Sequence, residues 1–192
     1  MKRTALSALL LAALLAGCTP AAQTPPEDTT PADSAAAESD SPAPSASGAT
    51  EISLPCTYTV PEGWVYAADY SSSDKLFYVP EGQENAATPD NISVNVGKNR
   101  YSADEHEQFR DAILQQLLMQ TQGSDAEIGG AGSYTANGET LYTFTITEPD
   151  AVTVQHYIVG EQRYALVHLT NFSGAEEVTQ AAQALADSLQ WT

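Results

Sequence analysis

Between Ile52 and Val60 apolar side chains fall at every second position, Ile52, Leu54, Cys56, Tyr58 and Val60, the spacing of a strand with one buried face. Val60-Pro61-Glu62-Gly63 closes that run as a turn, with proline fixing φ at its second position and glycine suiting its fourth. Trp64 opens a second run that continues from Val65 to Tyr70 and breaks at Ser71-Ser72-Ser73-Asp74. Leu76-Phe77-Tyr78-Val79 is a third, ended by Pro80-Glu81-Gly82. After a polar loop from Gln83 to Asp90, Ile92-Ser93-Val94-Asn95-Val96 alternates as a half-buried strand does. The period then changes. Ser102 and Glu105 have the spacing of a capping box, and the pattern predicts a helix to about Gln122 with Phe109, Ala112, Ile113, Leu114, Leu117 and Leu118 on its apolar side, stopped by Gly123.

Asn137-Gly138 is a two-residue hairpin signal between runs at 126–136 and 139–148. The first of these is soft, because Gly129-Gly130-Ala131-Gly132 invites a bulge or an open edge. Pro149-Asp150 turns the chain again, and the valine- and tyrosine-rich runs 152–159 and 163–170 pair across Gly160-Glu161-Gln162 as the centre of the sheet. Ser173 with Glu176 suggests a second capping box, before a helix presenting Val178, Ala181, Ala182, Leu185 and Leu189. Strands, helix, four strands, helix: this order predicts an α+β fold, an antiparallel sheet with helices packed on both faces.

The chain before these elements has another character. Lys2-Arg3 precedes an apolar run from Ala5 to Ala16, and Leu15-Ala16-Gly17-Cys18 ends it. A short basic start, an apolar core and small residues make a secretory signal, and the run is shorter than the ~20 residues that span hydrocarbon. The four residues resemble a bacterial lipobox. The resemblance implies that residues 1–17 are a lipoprotein signal peptide and that Cys18 is the lipid attachment site, carrying diacylglyceryl and palmitate-type chains that hold the protein on a membrane outside the cytoplasm. From Thr19 to Thr50 the composition is alanine, serine, threonine, proline and acids with one glutamine and one glycine, and with no aromatic residue and no leucine, isoleucine or valine. Such a segment has too little apolar surface to offset its ordering entropy. Residues 18–50 therefore read as a lipidated cysteine and disordered tether of roughly 30 Å, and residues 51–192 as a single domain.

Charge narrows the partners. The 192 residues carry a net charge of −18, and loss of Lys2 and Arg3 makes the mature chain more acidic still. No basic stripe exists to displace counterions, so nucleic acid is excluded as a partner. With Cys18 committed to lipid, Cys56 has no partner within the chain, and its place in the first alternation predicts a buried small hydrophobe rather than a reactive thiol.

Candidate chemistry is sparse. Ser173 and His168 are close in sequence, but no Gly-x-Ser-x-Gly elbow surrounds a serine, and the cap accounts for Ser173; no catalytic residue is assigned. Asp104, Glu105, His106 and Glu107 are consecutive, so on a helix they point around it and do not converge on a metal. His156 and His168 lie on paired strands and are expected near one another, as a hydrogen-bonded pair rather than a small polar or metal site, since no third ligand is in view. The sequons at Asn91 and Asn171 carry no weight in a bacterial precursor. No cofactor and no metal site is expected.

Tyr58-Thr59-Val60-Pro61-Glu62-Gly63-Trp64, then Phe77-Tyr78, one central helix, a late hairpin and a final helix ending Ser188-Leu189-Gln190-Trp191 resemble the PsbP-like α/β/α sandwiches. That group includes an extrinsic photosystem II protein, a Ran-binding import factor and bacterial envelope lipoproteins of the DcrB kind. The resemblance implies a non-catalytic accessory or binding domain. The sequence thus leads to a lipid-anchored cell-envelope lipoprotein whose domain binds a partner protein or ligand. A cation-binding module using the acidic surface is the alternative, and an envelope hydrolase is the least favoured.

Overall fold

Seven antiparallel strands joined mostly by tight turns form the body of the molecule, in a computed structural model that describes residues 54–192. The expected signal peptide, Cys18 and the expected tether lie outside the described residues. In chain order the elements are β1 (Cys56–Thr57), β2 (Trp64–Tyr66), β3 (Lys75–Pro80), β4 (Asn91–Lys98), α1 (His106–Gln120), β5 (Glu127–Tyr134), β6 (Thr140–Thr147), β7 (Val152–Gly160), β8 (Arg163–Asn171), α2 (Glu176–Asp187) and β9 (Gln190–Trp191). The main sheet runs β2-β3-β4-β8-β7-β6-β5, and among the described residues β1 pairs only with β9. β8 is its central strand and β7 lies beside it, as the apolar runs predicted.

Local chemistry explains the joints. Gly138 sits at φ 86° and donates its N–H to the Thr135 carbonyl, closing the β5–β6 hairpin at Asn137-Gly138. Ser102 accepts the capping-box role: its N–H and hydroxyl both donate to Glu105, and a single 3-10 turn leads into α1. Gly123, at φ 85°, follows the end of that helix.

Two expectations about elements change. Ile52 lies outside the described residues, and from Leu54 to Val60 the alternation forms a strand only at Cys56–Thr57, because its partner among the described residues, β9, is two residues long and Pro55 and Pro61 lack ladder donors. The second capping box does not form. Asn171 takes over the approach to α2: its Oδ1 accepts from Ser173 Oγ and Gly174 N, its Nδ2 donates to the Ala175 carbonyl, and Ala175 is the N-cap.

The fold class is also corrected. Among the described residues the molecule is mostly antiparallel sheet with only two short α-helices, and it is not a sheet with helices packed on both faces. α2 does lie along the sheet, burying Val178, Ala182, Leu185 and Ala186 with Ile92, Val94, Ile158, Val167 and Leu169. Full burial of each valine, leucine or isoleucine side chain among them is worth about 1.5–3 kcal/mol, enough to fix the helix. α1 buries only Phe109 and Leu117 completely and leaves Leu118 and Met119 exposed, so it anchors locally among aromatic strand residues and makes no second layer.

Candidate functional site

The two strand histidines were the residues most able to form a site together, and register decides the matter. Gly160 pairs with Arg163 across the two-residue turn, which sets His156 opposite Val167 and His168 opposite Gln155. Successive residues of a strand point to opposite faces, so the histidines are on opposite sides of the sheet. They form no pair.

His156 lies on the α2 side, 1% exposed, beside Val154, Ile158 and Val167. Its Nδ1 is 2.9 Å from Thr143 Oγ1, and its Nε2 has no partner among the described residues. Burial pushes its pKa down to about 4, so the ring is neutral at ordinary pH.

His168 lies on the other side, in a row that crosses the sheet from Phe77 through Ser93 and His168 to Gln155 and Phe144. Ser93 Oγ is fully buried without a hydrogen-bond partner among the described residues. Tyr157 donates its hydroxyl to Gln155 Oε1 at 2.9 Å. The Lys75 ammonium rests 4.6 Å above the Phe77 ring, and burial lowers its pKa. His168 is half-buried, with its pKa pushed down to about 4 by burial and then by Lys75. Ser93 and His168 are cross-strand neighbours, yet among the described residues no hydrogen bond joins them and no carboxylate orients the imidazole.

The other candidates are each occupied elsewhere. Ser173 Oγ donates to Asn171 and accepts from Ala175 N, and it is not bonded to His168. His106 Nδ1 sits 2.6 Å from the Tyr142 hydroxyl, Glu105 caps the turn before α1, and Glu107 lies 4.0 Å from Arg110. Among the described residues no three histidine, cysteine, aspartate or glutamate side chains converge as metal ligands. Cys56 is buried in the α2-side core, as its place in the sequence suggested, and burial raises its thiol pKa to about 11.

Sequence reasoning missed Asp90. Buried at 3% exposure, it accepts the N–H groups of Phe172 and Ser173 on one oxygen, at 2.7 and 3.0 Å, and ties the end of the β3–β4 loop to the segment before α2. An open hollow of about 580 Å³ adjoins it, lined in part by Trp64, Ser173, Glu177, Val178 and Ala181. The hollow's polar groups at Asp90 and Ser173 are already hydrogen-bonded within the chain.

Comparison with known proteins returns little. No protein-family model and no curated protein matches the sequence. Among solved structures the chain is similar to the solution structure of cyanobacterial PsbP (CyanoP) from Synechocystis sp. PCC 6803, with a TM-score of 0.44 and 10% identity over 77% of this chain and 99% of that one. A likeness of that size says nothing of what this chain binds. No helix among the described residues is long and apolar enough to cross a membrane.

Proposed function

We infer that this chain is a bacterial cell-envelope lipoprotein, anchored through acylated Cys18, whose PsbP-like domain, of the DcrB type, binds a partner protein or ligand outside the cytoplasm without catalysing a reaction. The observation that carries the anchoring is Leu15-Ala16-Gly17-Cys18 at the end of a short apolar run. Two acyl chains anchor stably where one alone binds only marginally. The non-catalytic part of the reading is supported by how the polar side chains are used: Ser173, His106, Glu105 and Asp90 all serve the fold.

Two measurements test this. Mass spectrometry of the amino-terminal peptide from membranes gives an acylated Cys18, and Cys18→Ala moves the protein to the aqueous phase; an unmodified Cys18 in a water-partitioning chain overturns the anchor. Crosslinking in the native envelope yields a discrete adduct, whereas turnover of ester, peptide or glycan substrates that is abolished by His168→Ala overturns the non-catalytic reading. The net charge of −18 favours a second reading, cation binding at the acidic surface. Calorimetry with Ca²⁺ decides it, since heat that disappears at physiological salt is screening and not a site.

A further inference from the structure

β5 is the outer strand of the seven-stranded sheet, and its eight residues are paired on one side only. At the other edge, β2 is three residues long. Which backbone groups of β5 face outward follows from the ladder. Thr135 donates its N–H to the Glu139 carbonyl, and Glu148 donates to Ala151. Hydrogen-bonded and non-bonded pairs alternate in an antiparallel ladder. With Glu127 opposite Thr147 and Ala131 opposite Thr143, the odd residues of β5 bond to β6, and Ile128, Gly130, Gly132 and Tyr134 direct their N–H and C=O groups away from the sheet. None of these eight N–H and C=O groups has another hydrogen-bond partner among the described residues.

Edge strands are ordinarily blunted by a lysine, a proline, a bulge or a covering segment. β5 has none of the first three. Its register with β6 is unbroken from Glu127 to Tyr134, and its one charge is Glu127. Tyr134 is 71% exposed on the same side as the glycines. The surroundings are mainly acidic: from Gln120 to Gln155 the chain contains Asp125, Glu127, Glu139, Glu148 and Asp150 and no lysine or arginine, and Arg110, which lies 5.7 Å over the Tyr142 ring opposite Gly132, is paired with Asp111 at 2.8 Å. A second copy would bring like charges together, whereas a basic segment would gain attraction.

We propose that the β5 edge is a docking site for an extended, lysine- or arginine-bearing segment of a partner protein, which adds as an eighth strand beside β5. This rests on the partner-binding reading above. Main-chain hydrogen bonds at Ile128, Gly130, Gly132 and Tyr134 hold the segment. Its bulky apolar residues cover Gly130 and Gly132 and pack beside Ile128 and Tyr134, and its basic residues lie near Asp125 and Glu127.

The test uses the full chain in detergent and a short synthetic peptide alternating valine and threonine with lysine at both ends. The peptide slows amide exchange at residues 128, 130, 132 and 134, and the same peptide ended in glutamate binds about tenfold more weakly. Gly130→Pro removes one outward donor while leaving the β6 ladder intact, and lowers affinity about tenfold. Gly130→Ala keeps the donor, its Cβ meeting the Phe144 ring at an ordinary 3.4 Å, and binds within about threefold of the native chain. If Gly130→Pro unfolds, Tyr134→Lys decides, since it repels the lysine-ended peptide from an exposed position. Native affinity in Gly130→Pro or Tyr134→Lys, equal binding of the two peptides, or self-association of the chain that Gly130→Pro abolishes would each overturn the proposal. A native-envelope adduct formed equally by Gly130→Pro removes the edge and leaves the partner reading standing. No adduct with the native chain removes the partner reading itself.

Discussion

His156 and His168 stand on opposite faces of the central β7–β8 pair, one opposite Val167 beneath α2 and the other opposite Gln155. Both are held neutral, with pKa values pushed from 6.5 to about 4. The consequence for stability has a definite sign. A histidine whose folded pKa is depressed binds fewer protons in the native than in the unfolded state between these two values, so stability is constant above pH 6.5 and falls as pH drops toward 4. For fully buried His156 the loss is about 1.4 kcal/mol per pH unit in that window. Half-buried His168 adds a smaller loss. Urea midpoints measured across the window show the decline, and His156→Leu removes most of its slope. An unchanged slope in that variant would show that His156 is not the group responsible.

Gly97 on β4 lies opposite Tyr164 on β8, and the Tyr164 ring covers it so closely that a Cβ there would overlap the ring carbons. The ring has little freedom to retreat, since its centroid is 5.4 Å from Phe109 and 5.6 Å from Tyr157. Gly97→Ala should therefore cost about 1–3 kcal/mol by overpacking. In Tyr164→Ala the same substitution should cost far less, and that non-additivity is read from the four denaturation curves of a double-mutant cycle.

Asp90 Oδ1 accepts two backbone donors at a buried position. Removing a charged acceptor leaves the Phe172 and Ser173 amides unsatisfied, so Asp90→Ala is expected to destabilise by about 2–4 kcal/mol. Asp90→Asn, which retains an acceptor oxygen, should lose less. Hydrogen exchange localises the effect: in the alanine variant those two amides exchange faster ahead of global unfolding. Uniform acceleration through the chain would deny Asp90 this local role.

Much of the sheet was written locally. Asn137-Gly138 and the two-residue turn at Glu161-Gln162 fixed their hairpins, because turn geometry and a period of two leave a single register. That same register parts the two histidines, a result that needs the exact pairing and not the strands alone. The Ile52–Val60 alternation misled because β9 offers only two residues to pair with. Ser173 misled because Asn171, with Gly174 at φ 72°, offers the backbone a tighter set of hydrogen bonds. The helical layers were overestimated because a periodic apolar stripe gives a helix's direction of burial and not how much sheet it covers: α1 leaves Leu118 and Met119 in solvent. Gly129-Gly130-Ala131-Gly132 admitted either a bulge or an open edge, and the continuous pairing of β5 with β6 is the open edge.

Cys56 offers a last test of how chain and core relate. Its side chain is 6% exposed, packed in the α2-side cluster, and its thiol pKa is raised to about 11 by burial, against a slight opposing pull from Arg163. The thiolate is the reacting species, so near neutral pH the native thiol is both shielded and almost wholly protonated. Alkylation with iodoacetamide should leave Cys56 unmodified in the folded chain and label it rapidly in urea, as read by mass spectrometry of the Cys56 peptide. Because β1 and β9 are only two residues each, the segment around Cys56 can open without disrupting the main sheet. Labelling at low denaturant, below the unfolding midpoint of the main sheet, is therefore the expected pattern, and Cys56→Ala should lower stability by only about 1 kcal/mol. Fast labelling of the fully native chain would instead place the thiol at the surface.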